Sequence, residues 1–299
     1  MIFRILSRLS FKTLYVLSDI LYILIYRLFS YRKNVVVSNL QACFPNAKAS
    51  EIKAYTKDFY KYLCDLIVEN IKSYRISKKD IIDRVKFVDS DLVNDYYKKG
   101  KSVLILASHS GNWEWSLQSY SAQFDYQVEA VYKKLTNPTF DKIMLKIRTK
   151  FGANAIEMSK AGREFLKKRK ELRTFAIVAD QSPFIGEDKY WTQMFGQNTA
   201  YYVGPSQLAR MLQCTVIYMD MRKVKRGFYE IHSHVISEPP YDKTDWSIID
   251  NYSMLLEKNI LQNPGHWLWS HKRWKYDQMQ AEKFVLNEKQ NRKNISKGL

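Results

Sequence analysis

A chain of 299 residues, 46% of them hydrophobic, can bury a substantial core, and this composition excludes an intrinsically disordered protein. Its 48 Lys and Arg residues outnumber 30 Asp and Glu, and the net charge of +18 favours an anionic partner such as lipid headgroups, an acidic protein or nucleic acid, unless the excess of Lys is only a habit of composition. Three widely spaced cysteines without a CxxC pair predict neither a disulfide framework nor a zinc site, and they fit a reducing compartment.

The first predicted element is an apolar N-terminal helix. Residues 11–29 read FKTLYVLSDILYILIYRLF, about the length of a membrane span, but Asp19 interrupts the centre and Lys12 and Arg27 stand near the ends. This pattern predicts a helix in the membrane interface with its cations near lipid phosphates on the cytoplasmic side, and a buried core helix is the alternative. No small-residue cleavage site follows, so a cleaved signal peptide is not expected.

Beyond residue 30 the chain alternates between helical and strand patterns. Residues 50–76 have apolar side chains at intervals of three and four, which predicts an amphipathic helix. Short apolar runs at 103–107, 128–132, 174–179, 215–219 and 228–231 alternate with helical patterns near 112–124, 139–150, 160–170, 204–213 and 246–262. Such alternation predicts an α/β fold with a central, mostly parallel sheet flanked by helices. We therefore expect an N-terminal helix over 1–30, one α/β domain over 31–275 and a polar tail, as a loose helix or coil, over 276–299.

Polar residues follow three of the predicted strands directly. His109 comes after the first run, in the stretch SHSGNWEW, Lys133 and Lys134 come after the second, and Asp180 and Gln181 come after the third. In a parallel sheet, functional residues gather at the carboxyl ends of the strands. The sequence therefore predicts that these residues share one site.

His109 and Glu114 have the spacing of a base and a carboxylate that orients it. A neutral imidazole can take a proton from an attacking hydroxyl, and Glu114, on the first turn of the following helix, can reach back to hold the ring. A hydrogen-bonded structural histidine is the alternative. No GxSxG motif or Cys–His arrangement supplies a protein nucleophile, so the hydroxyl would come from the substrate. His232 and His234 alternate along a strand without metal-ligand spacing, and we expect no metal.

Several segments, in order, resemble one enzyme family. HSGNWE resembles the H-x4-D/E motif of the glycerolipid and lysophospholipid acyltransferase superfamily, and the chain as a whole is similar to its bacterial lipid A late acyltransferase branch (lauroyl- and myristoyl-type enzymes). The further matching segments are YRKNVVVSNLQACFP (31–45), YKKLTNPTFD (132–141), KIRTKFGA (146–153), VADQS (178–182), MFGQNTAYYVGPSQLAR (194–210) and HWLWSHKRWK (266–275).

The resemblance implies an acyltransferase domain over 31–275 with the fold predicted above. It implies an acyl carrier protein or CoA thioester as acyl donor, a membrane lipid as acceptor, no metal or other cofactor, and attachment to the cytoplasmic face of the bacterial inner membrane. Nucleic acid is not expected as a partner, because only the net charge supports it and no recognition motif is present.

On this basis His109 is the expected base and Glu114 holds its ring. Candidates for stabilising the oxyanion or binding substrate phosphate are Arg148 and the backbone amides of Ser110, Gly111 and Asn112, where a helix begins. A solvated helix residue is the alternative for Arg148.

Further residues have expected roles around this centre. Lys133 is expected to contact phosphate. Asp180 and Gln181 are expected to orient an arginine or the acceptor, or else to cap their loop. Lys272 and Arg273 lie among Trp267, Trp269 and Trp274, which predicts headgroup contacts at the membrane interface, with a core aromatic cluster and an exposed basic edge as the alternative.

The acceptor is the open part of the interpretation. The motif reads HSGNWE instead of the HFxxLE form associated with lipid A enzymes, and HSGNW-type motifs also occur in relatives that acylate mannosylated or amino-acid lipids. A lipid A precursor or related glycolipid is the first expectation, and an amino-acid lipid, a mannolipid or a lysophospholipid are alternatives. A basic membrane-binding module without catalysis is the alternative of another class.

Overall fold

A computed structural model describes residues 2–167, 169, 171–242 and 244–297 of the chain. The strands of its main sheet are β1 (Val85–Phe87), β2 (Val103–Ala107), β3 (Val128–Tyr132), β4 (Asn154–Glu157), β5 (Thr174–Val178), β8 (Thr215–Lys225) and β9 (Phe228–Ser237). The strand order is β1-β9-β8-β2-β5-β3-β4, and every neighbouring pair is parallel except β8 with β9. The predicted α/β fold with a mostly parallel sheet is confirmed. Strands β6 (Lys189–Met194) and β7 (Gln197–Tyr202) form a separate antiparallel hairpin.

Helices cover both faces of the main sheet. They are α1 (Ile2–Leu6), α2 (Phe11–Tyr22), α3 (Lys33–Cys43), α4 (Ala49–Ser73), α5 (Lys78–Arg84), α6 (Ser90–Lys98), α7 (Trp113–Gln123), α8 (Pro138–Arg148), α9 (Met158–Lys167), α10 (Gly204–Leu212), α11 (Ser247–Gln262) and α12 (Gln278–Lys297). The polar tail predicted from 276 is largely α12, and the proposed domain boundaries stay a prediction.

The sheet is apolar on both faces because both are covered, as parallel sheets require. Along β2, Leu104 and Leu106 join one core cluster with side chains of α4, α9, α10 and α11. Val103 and Ile105 point the other way and join a second cluster with side chains of α5, α6 and α7. The free cysteines Cys43, Cys64 and Cys214 are buried.

The N-terminal helix predicted over 11–29 consists of α2 and a π-helical turn, Ile23–Leu28. One face packs on α4, where Tyr15 donates a hydrogen bond to Glu69 (2.9 Å) and Ser18 to Asp65 (2.8 Å). The opposite face exposes a set of apolar side chains, namely Val16, Ile20, Ile23, Leu24, Leu28 and Phe29. Asp19 does not face the core but pairs with Arg226 (2.7 Å).

Two residues in left-handed backbone form the elbow between this helix and α3. Ser30 has φ 46° and Arg32 has φ 50°, conformations that cost a residue with a side chain about 1–2 kcal/mol each. Tyr60 donates to the carbonyl of Tyr31 between them (2.5 Å), and Arg32 donates to the carbonyl of Ser270 (3.0 Å). Among the described residues no single helix has the length and hydropathy of a membrane span, whereas the segment Phe11–Leu28 and α3, bent by 87°, meet both criteria as a pair.

Candidate active site

The parallel pairing of β2 and β5 brings His109 and Asp180 together. Ala107 pairs with Val178 at the carboxyl ends of these strands, and His109 and Asp180 each follow two residues later. His109 Nδ1 lies 2.6 Å from Asp180 Oδ1, and the His109 backbone N–H donates to Oδ2 (2.8 Å). The strand register therefore fixes both the position and the orientation of the imidazole.

Asp180 is the carboxylate that holds the His109 ring. It is 1% exposed and accepts a further hydrogen bond from Trp267 Nε1 (2.7 Å). Burial alone would raise the pKa of Asp180, but the charge and hydrogen bonds of His109 and the bond from Trp267 hold it at about 2. The expectation that Glu114 holds the ring is wrong, because Asp180 holds it and Glu114 does not, whereas a contact of Asp180 with the acceptor stays a prediction.

Gln181 contacts the imidazole, and His271 contacts the residue that follows Gln181. In the neutral tautomer that donates Nδ1–H to Asp180, His109 Nε2 carries the lone pair, and the Gln181 amide lies 3.3 Å from this nitrogen. His271 Nε2 accepts the backbone N–H of Ser182 (3.1 Å), which fixes the loop that follows β5. Burial lowers the pKa of His271 to about 4, so it stays a neutral acceptor at pH 7. The sequence did not single out His271 or Trp267 for these roles.

Glu114 binds Arg148, and not His109, across the same cleft. The guanidinium donates from Nε (2.9 Å) and from a terminal nitrogen (2.5 Å), a bidentate pair, and the two side chains are 6% and 18% exposed. Burial disfavours the guanidinium charge, but the hydrogen bond and the charge of Glu114 outweigh burial and raise the pKa of Arg148. Arg148 is thus held in place at the site, and the alternative of a solvated helix residue is wrong.

Within the turn Ser110–Asn112 the Gly111 amide is used by the fold, which contradicts its expected role in binding an anion, whereas the roles of the Ser110 and Asn112 amides stay a prediction. The Gly111 N–H donates to the carbonyl of His266 (3.1 Å), and Ser110 pairs with Trp267 in an isolated β-bridge. Gly111 has φ 59°, and an added Cβ would lie 2.9 Å from the backbone of β8. Glycine is needed here because the turn crosses that strand closely.

Asn112 is fully buried and starts α7. Its side-chain oxygen accepts the backbone N–H of Trp115 (3.1 Å), and its amide donates to Glu69 (2.8 Å). Glu69 also accepts hydrogen bonds from Tyr15 and Tyr229 (2.7 Å), and its burial raises its pKa. This network ties the N-terminal helix to the start of α7, and no motif in the sequence pointed to Glu69.

His109, Glu114 and Arg148 line a pocket of about 600 Å³ between α7 and the sheet, called the first pocket below. Its helical wall includes Trp113 and, about 10 Å farther along the axis at 1.5 Å per residue, Tyr120. Its floor includes one row across three strands, in which Ile105 pairs with Ala176 and Ala176 with Ala130. Exposed lysines stand at its edge, namely Lys133, Lys134 and Lys275. Lys133 therefore lies at the site, as predicted, and its phosphate contact stays a prediction.

The C-terminal segment does not present Arg273, Trp267 or Trp269 at a surface. Arg273 is 2% exposed, donates to a backbone carbonyl of β7 (2.7 Å) and lies 4.4 Å from the centre of the Tyr201 ring. Trp267 and Trp269 are 2% and 0% exposed. The predicted headgroup contact of Arg273 is therefore wrong, and the alternative of a core aromatic cluster fits. Lys272 is exposed, and its headgroup contact stays a prediction.

Within the described part of the chain, no group of three or more His, Cys, Asp or Glu side chains is placed to hold a metal ion. His232 and His234 lie on β9, away from the first pocket. That the reaction needs no metal stays an expectation from the sequence.

Comparison with known proteins identifies the family. A comparison with curated proteins gives no match. The sequence model of the family described as bacterial lipid A biosynthesis acyltransferase matches residues 1–276, more than nine tenths of the chain and all of the site described above. The alternative of a non-catalytic binding module is therefore set aside. The chain belongs to the bacterial lipid A biosynthesis acyltransferase family, and it is an acyltransferase.

Proposed function

We propose that this protein is a membrane-associated O-acyltransferase that moves a fatty acyl chain from an acyl thioester, of acyl carrier protein or CoA, to a hydroxyl of a lipid A precursor or related glycolipid. The observation that carries the proposal is His109, whose Nδ1 is held by Asp180 while Nε2 is directed away from Asp180 in a largely apolar pocket of about 600 Å³. A base beside an apolar pocket suits a reaction between a hydroxyl and a fatty acyl group.

His109 Nε2 takes the proton of the acceptor hydroxyl while the oxygen attacks the thioester carbonyl. The C–O bond forms, the tetrahedral oxyanion collapses, the C–S bond breaks, and the protonated His109 returns the proton to the departing thiolate. Asp180 stabilises the imidazolium that exists between these steps. Arg148, held by Glu114 in the same pocket, is the cation available to stabilise the oxyanion.

The first pocket binds the acyl chain of the donor. Its depth beneath α7 is apolar, and the exposed Lys133, Lys134 and Lys275 at its edge provide cations for the phosphate of a phosphopantetheine arm or of CoA. The small side chains of Ala176 and Ala130 leave the space that a chain needs. The polar part of the donor would then bind at the edge of the pocket and the acyl chain inside it.

Membrane association rests on the N-terminal helix and on charge. The apolar side chains exposed on α2 and the π-helical turn lie opposite the face that packs on α4. A helix with that surface, in a protein of net charge +18, is suited to an anionic bilayer surface. We place the protein at the cytoplasmic face of the inner membrane, where the acyl thioesters are made.

The length of the donated chain gives the first prediction. Ala176→Leu fills the floor of the first pocket and removes the space for about two methylenes of the acyl chain. At about 0.8 kcal/mol per buried methylene, this loss lowers kcat/KM for the longer chain about 15-fold. We expect preference to shift to acyl chains about two carbons shorter, measured with a series of acyl-CoA donors. Ala155→Leu, on β4 outside the pocket lining, is the matched control. An unchanged chain-length profile in Ala176→Leu would contradict this use of the pocket.

The experiment that tests the function uses purified protein, long-chain acyl carrier protein or acyl-CoA, and a tetraacylated lipid A precursor, with mass spectrometry of the lipid. We expect a gain of one acyl chain with the wild type, no gain with His109→Ala, and retained activity with His232→Ala on β9. If the wild type leaves the precursor unchanged, the acceptor assignment fails, and the same assay on total membrane lipid decides among the other lipid acceptors. Full activity of His109→Ala would contradict the mechanism.

A further inference from the structure

A second pocket, of about 630 Å³, adjoins the pocket that the proposed function assigns to the donor. Its walls come from the end of the N-terminal helix, from α4 and from the C-terminal segment. The apolar side chains in these walls include Ile25, Phe29, Leu63, Ile67 and Leu268. The pocket is therefore apolar and large enough for a lipid chain.

The second pocket borders the first beside His109. Gln181 and His271 line both pockets. The Gln181 amide lies 3.3 Å from His109 Nε2, so a side chain that lines the second pocket contacts this nitrogen directly. An acceptor hydroxyl that enters from the second pocket could displace the Gln181 amide and donate its O–H to Nε2.

The apolar surface of the second pocket continues onto the outside of the protein. Phe29 is 74% exposed and also lines the pocket, and Leu28 and Leu24 next to it belong to the exposed apolar face of the N-terminal helix. A chain that leaves a bilayer in contact with this face can enter the pocket along apolar surface. Such a route suits a reactant that is already a membrane lipid.

A cation stands at the edge of the second pocket. Arg32 lines the pocket and is exposed, and its guanidinium is anchored by one hydrogen bond to the carbonyl of Ser270, which is also in the lining (3.0 Å). Arginine suits phosphate because its remaining donors form a planar fork.

We propose that the second pocket binds an acyl chain already present on the acceptor lipid, that Arg32 contacts the phosphate of that lipid, and that the acceptor hydroxyl replaces the Gln181 amide at His109 Nε2. This inference rests on the proposed function, since it assigns the two pockets to its two reactants. It makes the acceptor an amphiphile with a phosphate near its acylated sugar or backbone, and it predicts that donor and acceptor chains occupy different cavities.

Photochemical labelling tests this assignment without requiring turnover. One probe is a tetraacylated lipid A precursor with a diazirine in an acyl chain, in vesicles of phosphatidylethanolamine and phosphatidylglycerol, and the other is a lauroyl-CoA thioether with a diazirine at the chain end. We expect the lipid probe to label peptides with residues 25–32, 63–67 or 268, and the thioether probe to label peptides with residues 105, 120 or 176. A lipid probe found in the first pocket, or in neither pocket, would overturn the inference.

Variants that fill the second pocket give an independent test. Ile67→Trp and Leu268→Trp are expected to raise KM for the lipid precursor at least tenfold and to leave the Kd of the lauroyl-CoA thioether unchanged. Leu261→Trp, at an exposed position of α11 outside both pockets, is the control. An unchanged KM in both folded variants, or weaker binding of the thioether instead, would contradict the assignment.

Arg32→Gln separates the phosphate contact from the chain. We expect a higher KM for the phosphorylated precursor and no change for the same precursor after removal of its phosphates. An equal effect on both would show that Arg32 acts on the fold and not on phosphate. A wild-type enzyme that transfers no acyl chain would count against the proposed function, whereas the labelling pattern would still decide where each chain binds.

Discussion

Two buried carboxylates near His109, Asp180 and Glu114, have different partners. Asp180 accepts hydrogen bonds from the His109 ring, the His109 backbone and Trp267, whereas Glu114 accepts two from Arg148. Glu114 is nearer in sequence, but Asp180 stands at the matching position of the neighbouring parallel strand. Strand register, and not distance along the chain, decides which carboxylate the imidazole meets.

The two carboxylates are therefore expected to serve different charges. Asp180 would stabilise the positive charge that the proposed proton transfer places on His109. Glu114 compensates a permanent charge on Arg148, which lets a guanidinium stay largely buried beside an apolar pocket. If this comparison is right, removing each carboxylate should have a different kinetic consequence.

The largest effect is expected from Asp180→Asn. An amide cannot stabilise the imidazolium, and its N–H favours the tautomer with the proton on Nε2, so we expect kcat to fall about 10³- to 10⁴-fold. Asp220→Asn removes a carboxylate that is 2% exposed on β8, outside both pockets, and controls for the loss of a buried charge. A loss in Asp180→Asn no larger than in this control would break the comparison.

The pH dependence of stability tests the loop that carries Asp180, because His271 accepts a hydrogen bond from this loop. The pKa of His271 in the folded protein, about 4, is below its ordinary 6.5, so the unfolded chain binds more protons between these values. Stability from neutral His271 is complete above pH 6.5 and falls by up to about 3 kcal/mol as pH drops to 4. Urea unfolding at pH values from 4 to 7 gives the free energy of unfolding as a function of pH. This free energy should change less steeply with pH in His271→Gln than in the wild type. Identical slopes would contradict a buried, neutral His271.

Glu114→Gln tests the other carboxylate. It leaves the His109–Asp180 pair intact but removes the charge that balances and positions Arg148, and we expect kcat/KM to fall about 10²-fold. Arg148→Gln should cost a similar amount, and the double variant should be little worse than either single one because both changes disrupt one pair. Losses that simply add in the double variant would show that the two residues act separately.

The smallest effect is expected from Trp267→Phe. It removes one of the three hydrogen bonds to Asp180 and keeps an aromatic ring, so we expect kcat to fall about tenfold with little change in KM. Trp269→Phe also loses a hydrogen bond, to the carbonyl of Pro264, but does not contact Asp180, and its kcat should stay near that of the wild type. Equal losses in both variants would mean that Trp267 supports the fold alone.

Local patterns predicted the elements that carry the site. The positions of β2, β3, β5 and the helix after SHSGN follow from short apolar runs and turn residues. They placed His109, Lys133 and Asp180 at one edge of the sheet. Strands β1 and β4 have three and four residues, too short for alternation to identify. β6 and β7 are largely polar hairpin strands and gave no apolar run.

Side-chain partners were harder to predict because tertiary contacts decide them. The segment HWLWSHKRWK has the composition of a membrane interface, yet Trp267 and Arg273 are buried against Asp180 and β7. A turn of small residues before a helix is typical of an anion site, but here the Gly111 amide is used by the carbonyl of His266. No local pattern distinguishes these outcomes, since the competing groups come from parts of the chain more than 70 residues away.

The most direct test of the central claim, that Asp180 orients His109 as the base, is proton and nitrogen NMR of protein labelled with ¹⁵N-histidine. We predict a strongly downfield Nδ1–H proton from His109 that persists in Glu114→Gln and is lost in Asp180→Asn. Loss of this signal in Glu114→Gln and its persistence in Asp180→Asn would contradict the account and return the orienting role to Glu114.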